Sequence, residues 1–162
     1  MNFRRRKSHE LQGMIHLYRE RTGETAVDMR KVAEFAMGMG WSMPPPLSPL
    51  ERLAKELSRA AREETRYDPT TRLPYRVNHA YPGLRDGAQT TLWTDIDRAP
   101  RGPMHMSLQL RRNQMIDDGY HLSLDAEHWN SIHPEDAPIE IQFDFTQDID
   151  ERKSADEDDA AG

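Results

Sequence analysis

The segment from Ser48 to Arg66 constrains the fold of this chain more than any other. It opens with Ser48-Pro49-Leu50-Glu51, a capping box with proline at the first helical position, which predicts a helix start. Leucine and alanine side chains share one face of this helix: Leu50, Leu53, Ala54, Leu57, Ala60 and Ala61. Cationic side chains line the opposite face: Arg52, Lys55, Arg59, Arg62 and Arg66. The pattern predicts a helix with one buried face and one face that meets an anionic partner.

Two shorter helices are predicted before this segment. Apolar residues recur at helical spacing over residues 9–21, and a second helix is predicted from an N-cap at Asp28 to a stop at Gly40. The three prolines that start at Pro44 then forbid helix and predict a stiff connection. Two helices therefore precede the cationic one.

The pattern changes after Arg66. Alternation from Tyr75 to Tyr81 and threonine-rich residues 90–96, separated by the turn residues 82–87, predict a β-hairpin. A long helix is predicted from Pro100 to about Ser131. Residues 139–145 alternate like a strand, or like an extended peptide that docks in the same way.

These elements predict an α+β protein that is mainly helical, with N-terminal helices, a winged-helix-like hairpin, one long C-terminal helix, a short final strand and a disordered acidic tail. We divide it into a basic flexible arm (1–8), a compact helical part with the β-hairpin (9–100), the long helix with the C-terminal strand (101–145) and the tail (146–162). With 162 residues, of which 36% are hydrophobic and 31% charged, the core should be modest.

The net charge of −6 is concentrated at one end. Residues 146–162 hold seven acids against Arg152 and Lys153, so the first 145 residues are nearly neutral and the acidity does not exclude an anionic partner. The chain has no cysteine, which excludes disulfides and thiolate chemistry. No stretch resembles a membrane span or signal core, and we expect a cytoplasmic protein that does not bind a membrane.

The chain order of helix, helix, turn, cationic helix and hairpin resembles a winged helix-turn-helix. That resemblance implies that the third helix contacts nucleic acid and that the hairpin assists. The predicted contacts are Arg52, Lys55, Arg59, Arg62, Arg66, Arg76 and Arg85. The alternative is an ordinary solvated helix, because Glu51, Glu56 and Glu63 lie four residues from cations.

A protein-interaction module is the second functional hypothesis. The long helix could pair with a partner or a second copy through Leu108, Met115, Leu122 and Trp129. The C-terminal segment could bind a partner through Ile141, Phe143 and Phe145, and it resembles a degenerate bacterial clamp-binding peptide. It departs from that pattern in both registers, because either Glu140 replaces the glutamine or Thr146 replaces an apolar residue. A core strand remains the alternative.

Catalysis is not indicated by any motif. His121, Asp125 and His128 share nearly one helix face and could form a zinc site in a metal-assisted hydrolase, but no HExxH or comparable spacing accompanies them. The acids Asp95, Asp97, Asp117 and Asp118 are not tied by motif to a lysine or histidine. We therefore predict no catalytic residue, no bound metal and no cofactor.

Three stretches, residues 94–101, Arg111-Arg112 and residues 141–146, resemble parts of small bacterial proteins to which no activity is assigned. The resemblance implies a bacterial or phage-associated origin. It supplies no site residues.

Overall fold

A computed structural model describes residues 3–161 of the chain and the side chains of residues 6–158. It confirms an α+β protein that is mainly helical. The described residues form two compact units, with the boundary between Ser48 and Pro49. Met1, Asn2 and Gly162 lie outside the described residues.

The first unit contains helices α1 (Phe3–Thr22) and α2 (Met29–Gly38). Helix α1 begins inside the segment 1–8 that the sequence assigned to a basic arm. The two helices pack through Tyr18 and Phe35, whose rings meet edge to face with centroids 5.5 Å apart. Tyr18, Val32 and Ala36 are the buried residues of this unit, which is a small core for two helices.

Both predicted ends of α2 are confirmed. The Asp28 side chain accepts a hydrogen bond from the Arg30 amide at 2.9 Å, as an N-cap residue should. At the other end Gly40 has a positive φ of 87°, and the amides of Gly40 and Trp41 donate to the carbonyls of Met37 and Ala36. This is a Schellman motif, which needs a residue that tolerates the left-handed conformation.

The second unit begins with helix α3 (Pro49–Glu63), followed by β1 (Thr65–Tyr67) and β2 (Pro74–Arg76), which form one antiparallel sheet. Strands β3 (Asn78–Arg85) and β4 (Ala88–Asp95) form a second antiparallel sheet, the predicted hairpin. Its turn is Asp86-Gly87, with φ of 53° and 77°, and Pro82 and Gly83 lie within β3. Helix α4 (Arg101–Ile132) confirms the long helix and packs on β3.

Three further sequence predictions differ from the structure described so far. Helix α3 ends at Glu63 because the following residues pair with β2, so Arg66 is a strand residue opposite Tyr75. Residues 139–145 do not form a strand; they run without regular structure, and Asn130 binds both backbone groups of Ile139 at 2.8 and 3.0 Å. The tail is helix α5 (Thr146–Ala161), which contains no glycine or proline and begins after an Asp144 side chain bonded to the Thr146 amide.

Candidate nucleic-acid interface

Helix α3 separates cations from apolar side chains as the sequence predicts. Arg52, Lys55, Arg59 and Arg62 are exposed on one side. The leucine face, however, is not buried: Leu50, Leu53 and Leu57 are 77%, 53% and 61% exposed, and α3 has no buried residue. The prediction of a buried face on this helix is therefore wrong.

Two of the cations on α3 have defined partners. Arg59 forms an i,i+4 ion pair with Glu63 at 3.8 Å, and both side chains are largely exposed. The pair is therefore weak, and another anion can readily replace Glu63 as the partner of Arg59. The Arg62 guanidinium lies over the ring of Trp93, 5.3 Å from the ring centroid. A cation–π contact of this kind fixes the position of the guanidinium and leaves its charge in place.

Arg66 has a different environment from the cations of α3. Its Nη1 donates to Asp97 Oδ2 at 2.9 Å and lies 3.6 Å from Asp95 Oδ2, while Nη2 lies 3.5 Å from Glu64 Oε1. Three carboxylates thus surround one guanidinium. Its charge is already compensated, which separates Arg66 from the rest of the predicted cationic set.

The two arginines assigned to the wing lie on different sheets. Arg76 is the last residue of β2, and Arg85 ends β3 beside the Asp86-Gly87 turn. Both are exposed. Only Arg76 is brought together with a cation of α3.

A cleft of about 310 Å³ joins α3, β2, the β3–β4 hairpin and α4. Arg62, Arg76 and Arg111 line it from three different elements. Of the described residues that line the cleft, none is acidic. Glu64 contacts the lining residue Asn78, whose Nδ2 donates to Glu64 Oε2 at 2.6 Å, but the other oxygen of Glu64 faces Arg66. The cleft is therefore a concave surface with three positive charges.

Two buried polar residues form the inner wall of the cleft, His79 at 5% exposure and Ser107 at 2%. His79 Nε2 lies 3.0 Å from the Arg76 carbonyl oxygen; because a carbonyl can only accept, Nε2 carries the proton and donates. The Ser107 hydroxyl takes part in none of the side-chain hydrogen bonds found between described residues. In the described part of the chain, every side-chain polar atom that is shielded from solvent has a hydrogen-bond partner. The Ser107 oxygen has no such partner, so it is accessible to solvent, and it lies at the wall of the cleft.

Sequence reasoning found Arg62 and Arg76 but missed Arg111, His79 and Ser107. One signal was present: Ser107, Arg111 and Gln114 follow the i, i+4, i+7 spacing of a single helix face. That spacing places them together on α4. It does not indicate that this face meets the arginines of α3 and β2, because that depends on packing.

The predicted partner-binding residues lie against the protein's own long helix. Phe143 and Phe145 line a groove of about 490 Å³ together with Met115, Ile116 and Tyr120 of α4. Ile141 is half-buried, while the two phenylalanines are each 45% exposed. The C-terminal segment is thus an extended peptide docked within the chain, which was one of the alternatives left open by the sequence.

The residues weighed for metal chemistry do not converge. Among the described side chains of residues 6–158, no group of three or more histidine, aspartate or glutamate residues is arranged to hold a metal ion. Of the four acids considered for catalysis, Asp95 and Asp97 lie beside Arg66. Their role here is structural.

Comparisons with protein-family models, with curated proteins and with solved structures find no match to this chain. In the described part of the chain, no helix has the length and apolar character needed to cross a membrane.

Proposed function

We propose that this is a non-catalytic nucleic-acid-binding or regulatory accessory protein of the cytoplasm, which contacts phosphates through α3. The observation that supports the proposal is the exposed set of cations on one side of α3, which continues from Arg62 to Arg76 in the adjoining cleft. Phosphate contact requires cations at helical spacing on an accessible surface.

Electrostatic compensation distinguishes the residues of this interface. Arg66 is paired with three carboxylates and is left out, whereas Arg59 has one exposed partner and Arg62 lies over an aromatic ring. Arg85 lies beside the hairpin turn, where it can reach a phosphate outside the main surface. The proposed contacts are therefore Arg52, Lys55, Arg59 and Arg62, with Arg76 and Arg85 assisting.

The test is the fluorescence anisotropy of labelled double-stranded and single-stranded DNA, titrated with the full chain at several salt concentrations. If four cations each neutralise a phosphate, log K should fall with log[salt] with a slope of about −3 to −4. Arg59→Glu/Arg62→Glu should reduce both the affinity and this slope. The matched control is Arg98→Glu/Arg152→Glu, which makes the same charge change at exposed arginines outside α3.

Two results would reject this function. One is the absence of saturable binding to either DNA. The other is an equal loss of affinity in the two double variants, because overall charge rather than the α3 surface would then control binding.

A second candidate function, self-association through α4, is favoured by a separate observation. Leu108, Met115 and Leu122 repeat every seven residues and are 50%, 60% and 46% exposed. Exposed apolar surface of this extent is typical of an interface. A seven-residue apolar repeat on one helix can pack against the same repeat on a second copy of that helix. The partner in this proposal is a second copy of the chain.

Sedimentation velocity tests this candidate. Met115→Lys/Leu122→Lys should convert a concentration-dependent dimer to monomer, whereas Gln109→Lys/Asn113→Lys, on the other side of α4, should leave the dimer intact. A wild-type chain that stays monomeric over the whole concentration range would exclude it.

A further inference from the structure

We propose that the cleft between α3, β2, the hairpin and α4 is a binding pocket for a phosphate monoester, held by Arg62, Arg76 and Arg111. This pocket shares Arg62 and Arg76 with the surface proposed to bind nucleic acid, whereas Arg111 belongs to the pocket alone and separates the two proposals in the tests below. The shared chemistry is a terminal, dianionic phosphate, carried either by a free small molecule or by the 5′ end of a strand.

The charge of the cleft fits such a group. Three arginines from three elements line the cleft, and no acidic residue is among its described lining. None of the three arginines forms an ion pair with a described residue, whereas Arg66 has carboxylate neighbours. A guanidinium group binds phosphate oxygens through pairs of hydrogen bonds. Several guanidinium groups together match a dianion better than a monoanion.

The size of the cleft also limits the ligand. A volume of about 310 Å³ is at the small end of the range for small-molecule pockets, roughly 300 to 1,000 Å³. It accommodates a phosphate with an attached sugar or similar group. A duplex would not enter it, so within a nucleic acid only an end or a displaced nucleotide could be the occupant.

Two contacts limit the motion of the cleft lining, one at the Arg62 guanidinium and one at the Arg76 backbone. Arg62 lies over Trp93, and its Nη1 is 3.4 Å from the Ser58 carbonyl oxygen. The His79 ring, itself buried, donates to the Arg76 carbonyl and so fixes the backbone at the end of β2. Groups that are already held in place lose less entropy when a ligand binds.

The Ser107 hydroxyl supplies a hydrogen-bond donor beside the three arginines of the cleft. It lies at the wall of the cleft on a residue that is 2% exposed, and it takes no part in the hydrogen bonds among described residues. Solvent reaches this oxygen in the cleft, and a ligand there would take the place of that water. A phosphate oxygen held by the three arginines would accept its hydrogen bond.

Isothermal titration calorimetry on the full chain tests the proposal, with inorganic phosphate and adenosine 5′-monophosphate as probes and sodium chloride at matched ionic strength as the blank. We expect saturable binding of both probes. Arg111→Gln should weaken it by about tenfold or more, because it removes a charge-assisted hydrogen bond. Ser107→Ala, which removes only the hydroxyl, should weaken it by a smaller factor.

Arg112→Gln is the matched control, since Arg112 is the next residue on α4 and lines the other groove. It should leave binding of both probes unchanged. Equal weakening by Arg111→Gln and Arg112→Gln, or heats no larger than those of sodium chloride, would overturn the proposal.

The source of the phosphate is determined with one oligonucleotide that carries either a 5′-phosphate or a 5′-hydroxyl. Tighter binding of the phosphorylated strand that depends on Arg111 assigns the pocket to strand ends. Equal binding of the two strands, with both small probes still bound, assigns it to a free phosphorylated molecule. The 5′-hydroxyl strand measures binding without a terminal phosphate, and Arg111→Gln alters an arginine that the nucleic-acid surface does not use, so failure of the proposed function is seen separately from failure of the pocket.

Discussion

Arg66 and Tyr75 are opposite each other in the β1–β2 ladder, and both bind the same carboxylate, Asp97. The guanidinium donates to Oδ2 at 2.9 Å, and the phenol lies 3.1 and 3.2 Å from Oδ2 and Oδ1. Asp97 follows the last strand of the other sheet. This arrangement joins the two small sheets through one ion pair and one phenolic hydrogen bond.

Arg66 should therefore contribute to stability rather than to binding. We expect Arg66→Gln to lower Tm, because the carboxylates of Asp95, Asp97 and Glu64 lose their shared cation. Its DNA affinity should change by less than about threefold, since Arg66 neutralises no phosphate. Arg62→Gln is the comparison and should have the opposite profile, with a small change in Tm and a larger loss of affinity, measured by thermal melting and anisotropy.

Tyr75 should titrate above the usual range of a tyrosine. Partial desolvation and the hydrogen bond to Asp97 raise its pKa above 10.0, so its neutral form is favoured in the folded state. This contribution to stability is complete below pH 10 and is lost as the pH rises through the raised pKa. Absorbance titration at 295 nm should show a late step that Tyr75→Phe removes and that Asp97→Asn shifts to lower pH. A late step that persists in Tyr75→Phe would assign it to another tyrosine.

Asp68 should make the stability of the protein fall at low pH. Its carboxylate accepts hydrogen bonds from the amides of Thr71 and Thr70 at 2.9 and 2.8 Å, which lower its pKa below 3.8. When the pKa of a carboxyl group is lower in the folded state than in the unfolded state, the group stabilises the fold at pH values above its unfolded-state pKa. This stabilisation is lost as the pH falls through the folded-state pKa. Asp68→Asn keeps the acceptor oxygen but cannot titrate, so its Tm should fall less steeply than that of the wild type between pH 5 and pH 2. Parallel curves would show that the turn does not contribute.

Gly119 offers a stabilising substitution in α4. A Cβ there would lie 3.5 Å from the Phe143 ring, an ordinary contact distance, and glycine weakens a helix interior. Gly119→Ala should raise the free energy of unfolding by about 0.5 to 1 kcal/mol in a urea titration. Gly13→Ala in α1, where a Cβ would meet nothing within 4 Å, is the control and should give a similar gain. Gly119→Leu should lose stability relative to Gly119→Ala by displacing Phe143.

Substitution of the glycine in the hairpin turn should lower the stability of the protein, in contrast to substitution of Gly119. Gly87 has φ of 77° and follows Asp86 at 53°, the signature of a two-residue turn with both residues left-handed. Gly87→Val should cost about 1 to 2 kcal/mol or more, because a side chain at positive φ contacts the carbonyl of its own residue. Asp86→Asn should be close to neutral. Equal urea midpoints for the valine variant and the wild type would contradict this turn geometry.

The sequence by itself determined the elements whose signals are local. The Asp28 cap and Gly40 stop set α2. The predicted turn residues 82–87 include the Asp86-Gly87 turn, although β3 extends to Arg85. The sevenfold repeat after Pro100 predicts the length of α4. These features depend on residues that lie close in sequence to the backbone groups they satisfy, so they can be predicted from the sequence.

Tertiary structure decided the features that depend on distant residues. Helical periodicity in the sequence continues to Arg66, but pairing with β2 and the carboxylate of Asp97, 31 residues away, end the helix at Glu63 and remove that cation from its face. The alternation of residues 139–145 could not distinguish a strand from a peptide docked on α4, because both present every second side chain to a neighbour. The arginine cleft exists only because α3, β2 and α4 converge there. Local patterns specify helices, strands and turns, whereas the partners of a charged side chain depend on which elements pack together.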